Sequence, residues 1–170
     1  MEANCLIVLP AKDFNDEEYQ DVREALDNAG AIVKIVTSAV EEAVGIASTH
    51  LSPDTSFANV CVEDHDALIF ISGPGVFEYY NDGQVLDLTR QFFKKGKLVA
   101  AISHSVEILA RSGVLEQRQA TIWKDAVDVL LSRNISYSGD DVTVDQNVIT
   151  ASGGAFSHQF GRKIVEYLKI

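Results

Sequence analysis

Ser103-His104-Ser105 follows directly on an unbroken apolar run, Leu98-Val-Ala-Ala-Ile102, and a helical pattern through Val106, Leu109 and Ala110 starts at once. A strand that becomes a helix through one polar residue is the geometry of a nucleophile elbow, where a strained backbone lifts a reactive atom above the sheet. Such a turn needs small residues two positions to either side, and Ala101 and Ser105 meet that need. The helix start also turns unpaired N–H groups toward the same point, which favours negative charge there. Serine is equally a good helix N-cap, and the Gly-x-Ser-x-Gly pattern is missing. Spacing alone leaves elbow and cap level. Asp13, Asp16, Glu17 and Glu18 form a second cluster, of the kind that complements the dipole at a helix start. His50, His65 and His158 lack metal-ligand spacing, as do Cys5 and Cys61, so no metal and no cofactor is expected. Gly73-Pro-Gly75 has neither the lysine nor the spacing of a phosphate-binding loop.

The elements that must position these residues alternate in type. Cys5–Leu9, Ala67–Ile71 and Leu98–Ile102 are continuous apolar runs, as in strands covered on both faces, and Ile32–Val36 is similar apart from Lys34. Over Asp16–Ala29, Tyr19, Val22, Leu26 and Ala29 fall on one helical stripe, with Gly30 as its stop. Gln84–Lys95 carries Val85, Leu88 and Phe92, and Phe156–Leu168 carries Phe156, Phe160, Ile164 and Leu168. This alternation predicts a parallel sheet between helices, a flavodoxin-like three-layer α/β/α sandwich. Val142–Asp145 and Val148–Thr150, joined by Gln146-Asn147, read as a small added hairpin. Ala39–Asp64 shows no clear period and is expected to hold short strands and turns. With no repeat or linker, residues 1–170 read as a single domain. Ligands of such sheets sit beyond the carboxyl ends of the strands, which singles out Pro10–Glu18, Ser72–Val76 and Ser103–Ser105.

The 170 residues carry a net charge of −11. That charge repels phosphate backbones and anionic membranes, so neither nucleic acid nor membrane is an expected partner. Two separated cysteines fit a reducing compartment. Without a basic leader or a long apolar run, a soluble, cytoplasmic protein is expected.

Val99-Ala-Ala-Ile-Ser-His-Ser-Val-Glu-Ile-Leu-Ala-Arg-Ser-Gly-Val-Leu115, continuing to Arg118-Gln-Ala-Thr121, resembles the signature of the ThiJ/PfpI superfamily. There the strand reads Val-Ala-Ala-Ile-Cys-His-Gly, and the helix ends before Gly-(Leu/Val)-Leu and Gly-Arg-x-x-Thr. Glu18 resembles the acidic residue that ends the first strand–helix loop and points at the cysteine. Asp66–Gly73 resembles the strand and Gly-Gly turn whose N–H groups bind an oxyanion, here at Ser72 and Gly73. Ile149–Gly154, with Phe160 and Ile164-Val-Glu166, resembles the closing strand and last helix. The resemblance covers nearly the whole chain, most loosely at Ala39–Asp64. It implies a class I glutamine amidotransferase-like fold, a small-molecule or peptide ligand and a stress-related role. It also implies a homodimer, assembled into hexamers in the protease-like branch.

Ser103 stands where that family has its nucleophilic cysteine. A thiolate forms readily near neutral pH, whereas a serine hydroxyl needs a base, and such assistance is worth about 10²–10⁴ in rate. His104 serves only if its ring turns back toward Ser103 and a carboxylate holds it. In the protease-like branch that carboxylate is a Glu of the neighbouring subunit, and Glu78 is the nearest candidate. A first-turn histidine facing solvent or an interface is the alternative. Ser72-Gly73 leaves one glycine where the family has two, and Trp123 occupies the place of a histidine in the glyoxalase/deglycase branch. If Glu18 is buried beside Ser103, it is expected to be protonated and to donate a hydrogen bond to that position. Three readings stay open. One is a hydrolase of the protease/amidase or glyoxalase/deglycase type acting through Ser103, Glu18 and His104. Another is a catalytically silent protein that binds a metabolite or protein partner. The last is a Cys→Ser variant of an active site.

Overall fold

The computed structural model describes residues 2–170. The first half of the chain runs β1 (Asn4–Leu9), β2 (Lys12–Phe14), α1 (Asp16–Asn28), β3 (Ile32–Thr37), β4 (Ala43–Gly45), β5 (His50–Leu51) and β6 (Ala67–Phe70). Next come α2 (Gly83–Lys94), β7 (Leu98–Ile102), α3 (Val106–Ser112), β8 (Gln119–Ala120) and α4 (Val127–Leu131). The chain closes with β9 (Ser136–Tyr137), β10 (Val142–Asp145), β11 (Val148–Ala151) and α5 (Ser157–Leu168).

Six strands form the central sheet in the order β10-β11-β7-β6-β1-β3, parallel throughout except for the β10–β11 hairpin. Alternate residues of each strand face opposite layers, as the period of two requires. Cys5, Ile7, Leu9, Ile69, Ala100 and Ile102 pack with Tyr19, Val22 and Leu26 of α1 and with Phe160 and Ile164 of α5. Leu6, Val8, Leu68, Phe70, Val99 and Ala101 pack with Val85, Leu88 and Phe92 of α2 and with Val106 and Leu109 of α3. Apolar residues on both faces explain why these strands read as continuous runs. The result is the expected three-layer α/β/α sandwich. The hairpin also forms where expected, turning through Gln146 at φ 54°.

The chain leaves β1 toward β3 on one side and returns to β6 and β7 on the other. Order therefore reverses at β1, and the crevice of an open α/β sheet lies beyond such a reversal. The segments following β1, β6 and β7 meet there.

One feature differs from expectation and several escape it. A 3₁₀ turn over Ser103–Ser105 separates β7 from α3, so the α-helix begins at Val106 rather than at once. The short strands expected within Ala39–Asp64 are present as β4 and β5, but their joining of β2 in a small separate sheet and the pairing of β8 with β9 are not legible in the sequence. Strands of two or three residues have no period to read, and neither has the five-residue α4. Among the described residues, no helix is long and apolar enough to cross a membrane.

Candidate active site at the strand-to-helix turn

Ser103 sits at φ 58°, the left-handed conformation that an elbow imposes and that a non-glycine residue adopts only under strain. Its neighbours two positions away, Ala101 and Ser105, are fully buried. The Ser105 hydroxyl lies 2.6 Å from the Ile102 carbonyl and 3.1 Å from that of Phe70, and accepts the Ile102 N–H at 3.0 Å. One small side chain thus ties the ends of β6 and β7 to the turn. Ser103, only 8 % exposed, opens on a cavity of about 290 Å³ lined by Asn15, Glu18, Ile46, Ser72, Gly73, Pro74, Phe77 and His104. The structure brings together Ser103, His104, Glu18, Ser72 and Gly73.

Glu18 reaches this cavity from the first turn of α1, where the Asn15 side chain caps the helix by accepting the Glu18 N–H at 3.1 Å. The carboxyl is 1 % exposed. Burial pushes its pKa up, the Ser72 N–H donated to Oε2 at 2.9 Å works against that, and the charge of Glu17 adds to it; the outcome is about 7. Among the described residues no hydrogen bond joins Glu18 to Ser103, so the expected donation to the nucleophile position is not made. The carboxyl holds the Ser72 amide instead, which leaves Gly73 as the candidate oxyanion donor on that turn.

Gly73 (φ 129°) is required for a reason the sequence concealed. A Cβ there would lie 2.1 Å from the Asp13 carbonyl oxygen, so the backbone at the end of β2 occupies the space. At Gly75 the corresponding distance to the Lys12 carbonyl oxygen is 1.8 Å. The Asn15 N–H donating to Ser72 O at 2.8 Å completes the contact between the two loops.

His104 does not turn toward Ser103. Its ring stacks on Trp123 (6.0 Å, 28°) and meets Phe77 edge-on (6.4 Å, 64°), while Tyr80 donates its hydroxyl to the His104 carbonyl at 2.9 Å. Burial lowers the pKa of the imidazole, against the nearby Glu107 and Asp125 charges. The ring is a neutral wall near pH 7. Glu78 lies outside the cavity and is exposed; its carboxylate accepts from the Ser38 hydroxyl and, at 3.3 Å, from the Ala11 N–H.

Trp123 lies against the backbone of Gly153, whose added Cβ would be 3.0 Å from the indole. It also lines a second cavity of about 240 Å³ with Tyr137, Asp140, Asp141 and Phe156. Among the described residues, no group of three or more His, Cys, Asp or Glu side chains is gathered to hold a metal ion. Asn15 and Pro74 line the cavity from within the segments singled out by the sequence, Pro10–Glu18 and Ser72–Val76, whereas Ile46 and Phe77 lie outside them. The segment containing Ile46 has no period, and Phe77 follows a Gly-Pro-Gly turn whose course it does not announce.

Comparison with known proteins gives this arrangement its relatives. Residues 4–167 match the DJ-1/PfpI family. An uncharacterised protein of Methanocaldococcus jannaschii is 30% identical over 170 residues, covering 98% of this chain and 83% of its own. A deglycase from Pyrococcus horikoshii is 26% identical over 164 residues, 96% of this chain and 99% of its own. The crystal structure of a ThiJ/PfpI domain protein from Brachyspira murdochii superposes with a TM-score of 0.95 at 26% identity, over 99% of this chain and 98% of that one.

Proposed function

The chain belongs to the DJ-1/PfpI family, and from that premise we propose that its Ser103 cavity acts on the carbonyl group of a small molecule. One observation carries this reading. A buried carboxyl held at about 7 shares a 290 Å³ cavity with a strained elbow hydroxyl. A group titrating near the working pH is the most effective general acid–base catalyst. In the step envisaged, Ser103 Oγ bonds to the carbonyl carbon and its proton passes to the Glu18 carboxylate, directly or through one water. The carbonyl electron pair moves onto oxygen, where the Gly73 N–H would meet it. Returning the proton reverses the addition or expels a leaving group. His104 contributes a wall rather than a base. The deglycase relative supports carbonyl compounds as the substrate class.

A second reading, a pocket that binds without turnover, is favoured by the stacking of His104, which leaves Ser103 without a hydrogen-bonded base. Methylglyoxal consumption and aminopeptidase-type cleavage, measured for the protein and for Ser103→Ala, Ser103→Cys and Glu18→Gln, separate the two. Activity that disappears in both Ser103→Ala and Glu18→Gln supports the first. Activity arising only in Ser103→Cys overturns it in favour of a silent site. The family also supports a homodimer, which sedimentation reads directly.

A further inference from the structure

The Ser103 cavity has a polar floor and an apolar mouth. Ser103, Glu18, Ser72 and Gly73 form the floor, and Ile46, Pro74 and Phe77 form the mouth. A lone exposed apolar side chain is ordinary on a protein surface. Ile46 and Phe77, 58% and 60% exposed, instead converge on one concavity.

Each is fixed there by its own contacts. Ile46 follows β4 in the turn toward β5, and its N–H donates to Phe14 O at 3.0 Å. The same turn is tethered to Asp16, which accepts the N–H groups of Ala47 at 2.8 Å and Thr49 at 3.1 Å. The Asp16 carboxylate fills the place of a side chain at Gly45, where a Cβ would lie 2.2 Å from Oδ1. Phe77 is braced edge-on by Tyr80 (5.2 Å, 76°) and touches His104 in the same manner. The two lips therefore keep their places relative to the floor. A cavity of about 290 Å³ is small among ligand sites, which suits a short chain rather than a polymer.

We propose that the site selects carbonyl compounds bearing a short apolar substituent, with the carbonyl at Ser103 and the substituent between Ile46 and Phe77. This rests on the reading of the Ser103–Glu18 cavity as a carbonyl site. Both lips line the hollow that holds Ser103 rather than a flat patch. A substituent on the bound molecule thus fits them better than the surface of a second copy does.

Straight-chain amides from acetamide to hexanamide are weakly electrophilic carbonyl probes, and their binding is read from backbone amide shifts at Ser103, Gly73 and Ile46, with the spectra checked for released acid. Affinity should rise about fourfold per added methylene until the cavity is full. Ile46→Ser and Phe77→Ser should each cut that step below twofold. Probes that shift Ser103 and Gly73 with no dependence on length overturn the selectivity and leave the carbonyl site standing. Probes that shift neither residue remove the carbonyl site and this inference with it. A length dependence that survives both lip variants overturns the assignment of the lips, as does a change of Ile46→Ser or Phe77→Ser from dimer to monomer with the dependence intact.

Discussion

Asp16 and Glu18 share the first turn of α1, and both are buried, at 7% and 1% exposure. Their surroundings nevertheless drive them in opposite directions. Burial raises the pKa of each. At Asp16 the amides of Ala47 and Thr49 and the Thr49 hydroxyl more than offset that, and the carboxyl stays below the ordinary carboxylate range. At Glu18 only the Ser72 amide opposes burial, and the pKa climbs to about 7. Burial does not decide the charge of a carboxyl; the number of donors facing it does. One end of the turn thus anchors a loop as an anion, while the other keeps an exchangeable proton beside Ser103.

The contrast can be broken most severely at the anchor. Asp16→Ala leaves the Ala47 and Thr49 amides without their acceptor, and denaturant melts should show a loss of about 4 kcal/mol. Next in size is Glu18→Gln, and the sign follows from linkage. The folded chain keeps the Glu18 proton between pH 4.5 and about 7, where the unfolded chain has released it. Stability therefore falls as pH rises through that window and is level above it, a loss of at most roughly 3 kcal/mol. Glu18→Gln should abolish this slope and melt higher than the parent at pH 8, with little difference at pH 4. Asp16 has the opposite dependence. Its contribution is full above pH 3.8 and is lost as pH falls through its depressed folded value, so Asp16→Asn should lose less stability than the parent on acidification. The smallest effect belongs to the elbow. Ser103→Gly relieves the positive φ and should stabilise the fold by about 1 kcal/mol, read as a raised denaturation midpoint.

The sequence was most legible where side chains repeat. The runs around Ile7, Ile69 and Ala100 placed the sheet, and the stripes through Val22, Val85 and Phe160 placed the covering helices to within a residue or two. The turn at Ser103 was legible as a local event between one strand and one helix, but elbow and helix cap look alike there, and family resemblance favoured the elbow. Glu18 came from family resemblance, since acidic residues at a helix start look alike until their donors are known. Nothing local distinguishes Asp16, whose partners lie more than thirty residues away at Ala47 and Thr49. His104 illustrates the same limit. Its ring orientation is set by Trp123 and Phe77, which reach it from two separate turns.

Trp123 is the chain's one tryptophan, and it lies face to face with His104 while lining the neighbouring cavity. The molecule therefore carries its own optical gauge. An imidazolium quenches indole emission far more than a neutral imidazole does, so the fluorescence of the unlabelled protein should dim on acidification as His104 takes up its proton below the usual histidine range. Solutes that displace water from either side of the indole should shift the colour of that emission. Occupancy of the neighbouring cavity that the indole lines can then be followed by light alone.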